Sequence, residues 1–324
     1  MLQALAAVLL IAASAAHAAG PYRAPRTAYG QPDLQGVWNT NFVLPLEAPA
    51  TGAPPLVLPE AEAMAYAQRL GADIRTFKAL EQDPEVQELS HSSSAVGLGV
   101  VNGQRRTRQI VLPENGRLPV TPRVRGMITM VERALRTSTD APFPTDGPEQ
   151  RPNWERCIVG QGQPPIAVVT EINPRQILQT RDAVVILSEY GPDLRVIPFA
   201  TVHAGDVAQA SPLGDAIARW DGDTLVIETT GLPAKDMIRP LPTLLVSSAA
   251  KVIERYTRTA ANELLYQYTV VDPATYTAPW LAEYALARSA RPLYEFACHE
   301  GNYSLPNILA GARQLDRARI APGR

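Results

Sequence analysis

The sequence predicts a mainly β protein, an antiparallel up-and-down barrel with added N-terminal helices. Three observations predict it. From Cys157 onward the segments turn short and rich in β-branched residues, with turn signals between them. Two pairs read as hairpins: Asp215–Trp220 with Thr224–Thr230 about Asp221-Gly222, and Lys251–Thr259 with Glu263–Val271 about Ala260–Asn262. No interleaved helical pattern is long enough for a βαβ crossover. A meander of hairpins buries its apolar face as a barrel or a sandwich, and the barrel is favoured, with the strand around Trp38 joining it.

The elements follow in order. Residues Met1–Ala18 are small and apolar and end in Ala16-His17-Ala18, an A-x-A cleavage pattern. Their apolar core is too short to span a bilayer, so they read as a signal peptide, and the mature chain is expected to be periplasmic or secreted with no membrane span. Residues 19–150 form an extended and helical region expected to pack on the barrel, and 151–324 form its body, one structural domain overall. Pro59–Glu81 has helical spacing, with Gly71 a possible break. Ser90–Gly103 reads as a loop, and Arg105, Arg106 and Arg108 after it as a solvated basic strand face. Thr121 is a good N-cap before Pro122, and Val124, Ile128, Val131 and Leu135 repeat on one helix face. Thr137–Asn153 is a linker. Gln176–Leu178, Val184–Tyr190 and Leu194–Phe199 read as strands, and Leu281–Ala287 is expected to pair with Leu293–Cys298 across Ser289–Pro292. In an oxidising compartment the chain's two cysteines, Cys157 and Cys298, make one disulfide the expectation.

A formal net charge of -2 gives no electrostatic reason to expect a nucleic-acid partner. There is no H-E-x-x-H, H-x-H or C-x-x-C, so no metal is expected. The absence of G-x-G-x-x-G and of a Walker loop argues against a nucleotide cofactor, and no cofactor is expected. The absence of G-x-S-x-G argues against an α/β-hydrolase. Glu295 and His299 would share a face of the last strand, with His299 as general base and Glu295 orienting it. Tyr276 or Arg255 would then stabilise developing negative charge. Tyr266 and Tyr268 share one strand face and Gln267 takes the other; with Trp280 and His203 they are the candidate ligand-binding residues. Glu189, Glu228, Glu254 and Glu283 recur within strands and read as outward and solvated.

Gly36-Val37-Trp38 resembles the G-x-W of the lipocalins and wider calycins, in which the Trp closes one end of a barrel. Longer phrases are P-D-L-Q-G-V-W at Pro32, E-R-C at Glu155, A-R-W-D-G-D-T-L-V-I-E-T-T-G from Ala218, and V-I-E-R-Y-T-R from Val252. D-P-A-T-Y-T-A-P-W from Asp272 and Y-E-F-A-C-H-E-G-N-Y from Tyr294 complete the set. Together they resemble a large family of exported bacterial proteins, most strongly over residues 156–313. The resemblance implies an exported, β-rich, lipocalin-like protein and supplies no catalytic residues. Three functions fit: a barrel that binds a small apolar or aromatic molecule; a cofactor-independent lyase, isomerase or hydrolase using His299 with Glu295; and a structural or interaction protein of the cell envelope. The sequence does not set an oligomeric state.

Overall fold

A computed structural model describes residues 22–40, 42, 44–70, 98–137, 143–168, 174–191, 193–205, 211–233, 238–240 and 243–320. The signal-peptide segment 1–18, and the expectations placed on 71–81 and 90–97, lie outside them.

The strands of the main sheet are β1 (Gly36–Asn39), β5 (Ile110–Leu112), β6 (Arg175–Gln179), β7 (Ala183–Ser188), β8 (Asp193–Pro198), β9 (Asp215–Asp221), β10 (Thr224–Thr230), β13 (Lys251–Ala260), β14 (Glu263–Val271) and β15 (Trp280–Ser289). Nine of them follow one path, β8-β7-β6-β1-β15-β14-β13-β10-β9, and every pairing along it is antiparallel. This is an up-and-down meander bent into a nearly closed barrel. An odd number of staves cannot close antiparallel throughout, so the two ends of the path must run the same way. They do: the seam is a single parallel bridge between Phe199, just past β8, and Ala218 of β9. Ala200 N donates to Ala218 O there at 3.3 Å.

Alternation drives one face of each strand inward. Leu225, Ile227, Val252, Leu264, Val270 and Leu286 are buried in the core with Trp38. The indole of Trp38 donates to Leu34 O at 2.8 Å, and the guanidinium groups of Arg258 and Arg288 each stack 5.7 Å from its ring centroid. The G-x-W strand therefore does join the barrel.

The N-terminal region covers the outside. A small sheet of β2 (Val57–Leu58), β4 (Gln104–Arg106) and β3 (Val100–Val101) places Val101 against Leu265 and Ala285, on the outer faces of β14 and β15. The helix α1 (Glu60–Leu70) reaches β4 through Glu60 and Arg105. The helix α2 (Pro122–Thr137) starts at Thr121, whose Oγ1 accepts from Val124 N at 3.4 Å, and it packs Val124 and Ile128 on Leu245 of β12 (Thr243–Leu245), the partner of β11 (Ile238–Pro240). A third helix, α3 (Ser304–Ile320), follows the C-terminal coil and went unnoticed in the sequence; Asn302 caps it through Leu305 N at 3.2 Å.

Two expectations are corrected. Arg106 and Arg108 are buried and partnered, not solvated: Arg106 Nη2 donates to Glu283 Oε1 at 2.9 Å, and Arg108 donates to the carbonyls of Pro54 and Glu114. Residues 293–298 form no strand. Both edges of β15 are occupied, by β14 on one side and by β5 and then β1 on the other, so a returning strand has no edge to join.

Candidate ligand site inside the barrel

The inward faces of β13, β14 and β15 carry a row of phenols. Tyr256, Tyr266 and Tyr284 are direct cross-strand partners, with ring centroids 4.7 and 5.1 Å apart. Tyr268 and Trp280 extend the aromatic wall, meeting edge to face at 5.6 Å. Side-chain pairs at this spacing add about 0.5–1.5 kcal/mol each beyond their buried area.

A charged network faces that wall. Glu254 of β13 is completely buried. Its carboxylate accepts from Arg195 of β8 at 3.0 and 2.5 Å, from Tyr266 Oη at 2.9 Å and from Tyr256 Oη at 3.3 Å. Arg195 Nη2 also donates to Thr229 Oγ1 at 3.2 Å. The expectation that Glu254 points outward is overturned; it shares the face of Val252 and Tyr256, and Arg195 takes its charge. Glu283 is likewise no solvated residue, because β4 covers it and Arg106 pairs with it.

Arg175 of β6 is the second interior guanidinium, 2 % exposed. Nη2 donates to Tyr284 Oη at 2.8 Å, while Nε and Nη1 meet no acceptor. Its cross-strand neighbour Ser188 is also buried with Oγ unpartnered.

Residues 160–168 form a strap at this end of the barrel. Gly160 and Gly162 donate their amides to Asp193 at 2.7–3.0 Å. A Cβ on Gly160 would lie 2.2 Å from Tyr190 O, so only glycine permits that approach. Ile166 is gripped by two phenols: its amide donates to Tyr266 Oη at 3.2 Å, and its carbonyl accepts from Tyr284 Oη at 2.7 Å.

Burial pushes the phenols of Tyr256 and Tyr266 well above their ordinary value, and the carboxylate of Glu254 adds to it. Burial raises Tyr284 too, against the opposing pull of Arg175. Burial pulls Arg195 down, but Glu254 outweighs it and holds the guanidinium above its usual range. Burial likewise pulls Arg175 down, and the phenols of Tyr284, Tyr256 and Tyr266 outweigh it. Tyr256, Tyr266 and Tyr284 are therefore neutral and hydrogen-bonding at ordinary pH, and the guanidinium groups stay charged.

Of the residues singled out in the sequence, Tyr266, Tyr268 and Trp280 meet inside the barrel. Tyr276 adjoins them, its ring 5.5 Å from Trp280 and its hydroxyl donating to Leu245 O at 2.6 Å. Gln267 is on the opposite face of β14, donating to Glu283 Oε2 at 2.9 Å. Arg255 is also outside, donating to Asp221 Oδ2 at 2.9 Å. His203 stands on the outer face with Nδ1 3.3 Å from Asp215 and Nε2 3.5 Å from Glu228. Burial pushes Glu228 up, but Lys251 and His203 outweigh it and hold its carboxyl below the usual range.

His299 and Glu295 are exposed in the C-terminal coil, and no ion pair or side-chain hydrogen bond joins them. The coil is tied to the strap's root by the disulfide Cys157–Cys298, by Asn302 Nδ2 donating to Glu155 O at 2.8 Å, and by Phe296 stacking on Tyr190 at 4.3 Å. Sequence reading missed Arg175, Arg195 and Tyr256, while Tyr284 follows Trp280 and Tyr276 in a run of polar-tipped aromatics. Alternation with Ile177 and Ile197 was the signal for the two arginines, and it was masked by Leu194 and Val196, which are 55 % and 62 % exposed.

No protein-family model matches the chain, and no curated protein matches it.

Proposed function

We propose that the protein is an exported barrel that binds a small, largely apolar or aromatic molecule in its interior. One observation carries the reading: the wall of hydroxyl-tipped and indole rings on the inner faces of β13, β14 and β15, with a peptide strap held against it by two phenol hydrogen bonds. Such a wall offers large apolar area with a few placed polar tips, the composition of small-molecule sites. The strap occupies hydrogen-bonding positions that a ligand can take over. Export is supported by the Cys157–Cys298 bond, which an oxidising compartment sustains.

The test is native mass spectrometry of protein made in an exporting bacterial host, followed by tryptophan-fluorescence titration with 2-naphthoate and 2-naphthalenemethanol. A chain beginning at Ala19 and two hydrogens short of the reduced mass is expected, with a retained organic adduct or saturable binding of at least one probe. A full-length mass sinks the export reading. A bare protein that binds neither probe sinks the binding reading.

A further inference from the structure

We infer that the interior ligand carries a single carboxylate, received by Arg175 and Ser188; the inference rests on the binding reading above and names the chemical class of its ligand.

Charge inside the barrel is the first ground. Two guanidinium groups, Arg175 and Arg195, face the aromatic wall, and the carboxylate of Glu254 is spent on Arg195 through both oxygens. Asp193 lies in the same cross-strand row as Arg175 and Ser188, but its carboxylate accepts the amides of Gly160 and Gly162. Arg175 has no carboxylate within ion-pair distance among the described residues. A buried guanidinium with one phenol for a partner is an expensive arrangement, and such groups are retained where something else completes them.

Open donors are the second ground. Nε and Nη1 of Arg175 and the hydroxyl of its neighbour Ser188 are all buried without a partner. A planar fork of N–H groups beside a hydroxyl matches the two oxygens of a carboxylate. One guanidinium without an ion-pair partner, with two open N–H groups beside a buried hydroxyl, matches a single carboxylate. The rings of Tyr266 and Tyr284, 5.6 and 5.8 Å from the Arg175 guanidinium, set an apolar body beside the anionic head.

The experiment compares 2-naphthoate with its neutral isostere 2-naphthalenemethanol, in the whole mature protein and in Arg175→Met. The intact protein is expected to bind the carboxylate about tenfold or more tightly than the alcohol, the worth of one charge-assisted hydrogen bond. Arg175→Met is expected to erase that preference and keep binding of the alcohol, and Ser188→Ala to weaken naphthoate a few-fold. Equal affinity for both probes in the intact protein overturns the carboxylate assignment and leaves the binding barrel standing. A preference that survives Arg175→Met also overturns it. Binding of neither probe sinks both readings. Should Arg175→Met fail to fold, thermal shifts of the unaltered protein decide: benzoate must raise its melting temperature more than equimolar benzyl alcohol, and equal shifts overturn the inference.

Discussion

The barrel interior and the C-terminal coil make an instructive pair. The coil, residues 290–303, gathers Glu295, Cys298, His299 and Glu300 within six positions of sequence. In space it is an exposed rim whose anchors are one disulfide and a few contacts to Glu155, Glu189 and Tyr190. The interior network draws Arg175, Arg195, Thr229, Glu254 and Tyr284 from five strands over more than a hundred positions, and it is buried and joined by hydrogen bonds about Glu254 and Tyr284. Density of chemical groups along the chain did not forecast density in the fold. Strand pairing did, because it sets residues side by side whatever their separation in sequence.

Cutting the rim's anchor should have the largest effect on stability. The disulfide spans 141 residues. The chain-entropy model puts its stabilisation at about 5 kcal/mol at most. Replacing both cysteines with serine is expected to lower the melting temperature strongly while leaving the near-ultraviolet tyrosine signal of the folded barrel intact; loss of that signal under native conditions would show the rim and the barrel to be one unit.

Glu254→Gln attacks the interior directly. It strands Arg195 beside a neutral amide, and breaking one partner of a buried pair costs about 3–5 kcal/mol. Denaturant unfolding checks it, and a loss below 1 kcal/mol would mean that water reaches the network. Tyr284→Phe removes the donor to the Ile166 carbonyl and the acceptor for Arg175, an expected loss of about 1–3 kcal/mol. At the other extreme, His299→Ala should change stability by no more than about 0.5 kcal/mol, as an exposed substitution does.

Alkaline titration sharpens the contrast without mutation. The phenols of Tyr256, Tyr266 and Tyr284 are raised above their ordinary value in the folded state. Their protonated form is what folding favours, so their contribution is fully present below about pH 10 and fades as pH rises beyond it. Phenolate absorbance from the interior row should therefore develop only with unfolding, above the ordinary range of a phenol. A single transition near pH 10 would show the row to be wet.

Much of the fold was legible in the sequence. Hairpins about Asp221-Gly222 and Ala260–Asn262 announce themselves through turn chemistry and β-branched runs, both local. Thr121-Pro122 opens a helix for equally local reasons. Part of the site was legible too, since Tyr266 and Tyr268 show their shared face by alternation.

What the chain alone determined is thus most strands of the meander from β6 to β15, the turns of its hairpins, the cysteine pair and the aromatic face of β14. Tertiary structure decided the rest. It closed the ninth strand on the first through a parallel seam, and so chose which face was inside. On β8 that choice sends Arg195 in and Leu194 and Val196 out, against their hydropathy. The physical reason is that register is collective. A strand's face is set by the neighbours it pairs with, and a buried charge is tolerated there once another strand supplies its counter-charge, as Glu254 does for Arg195.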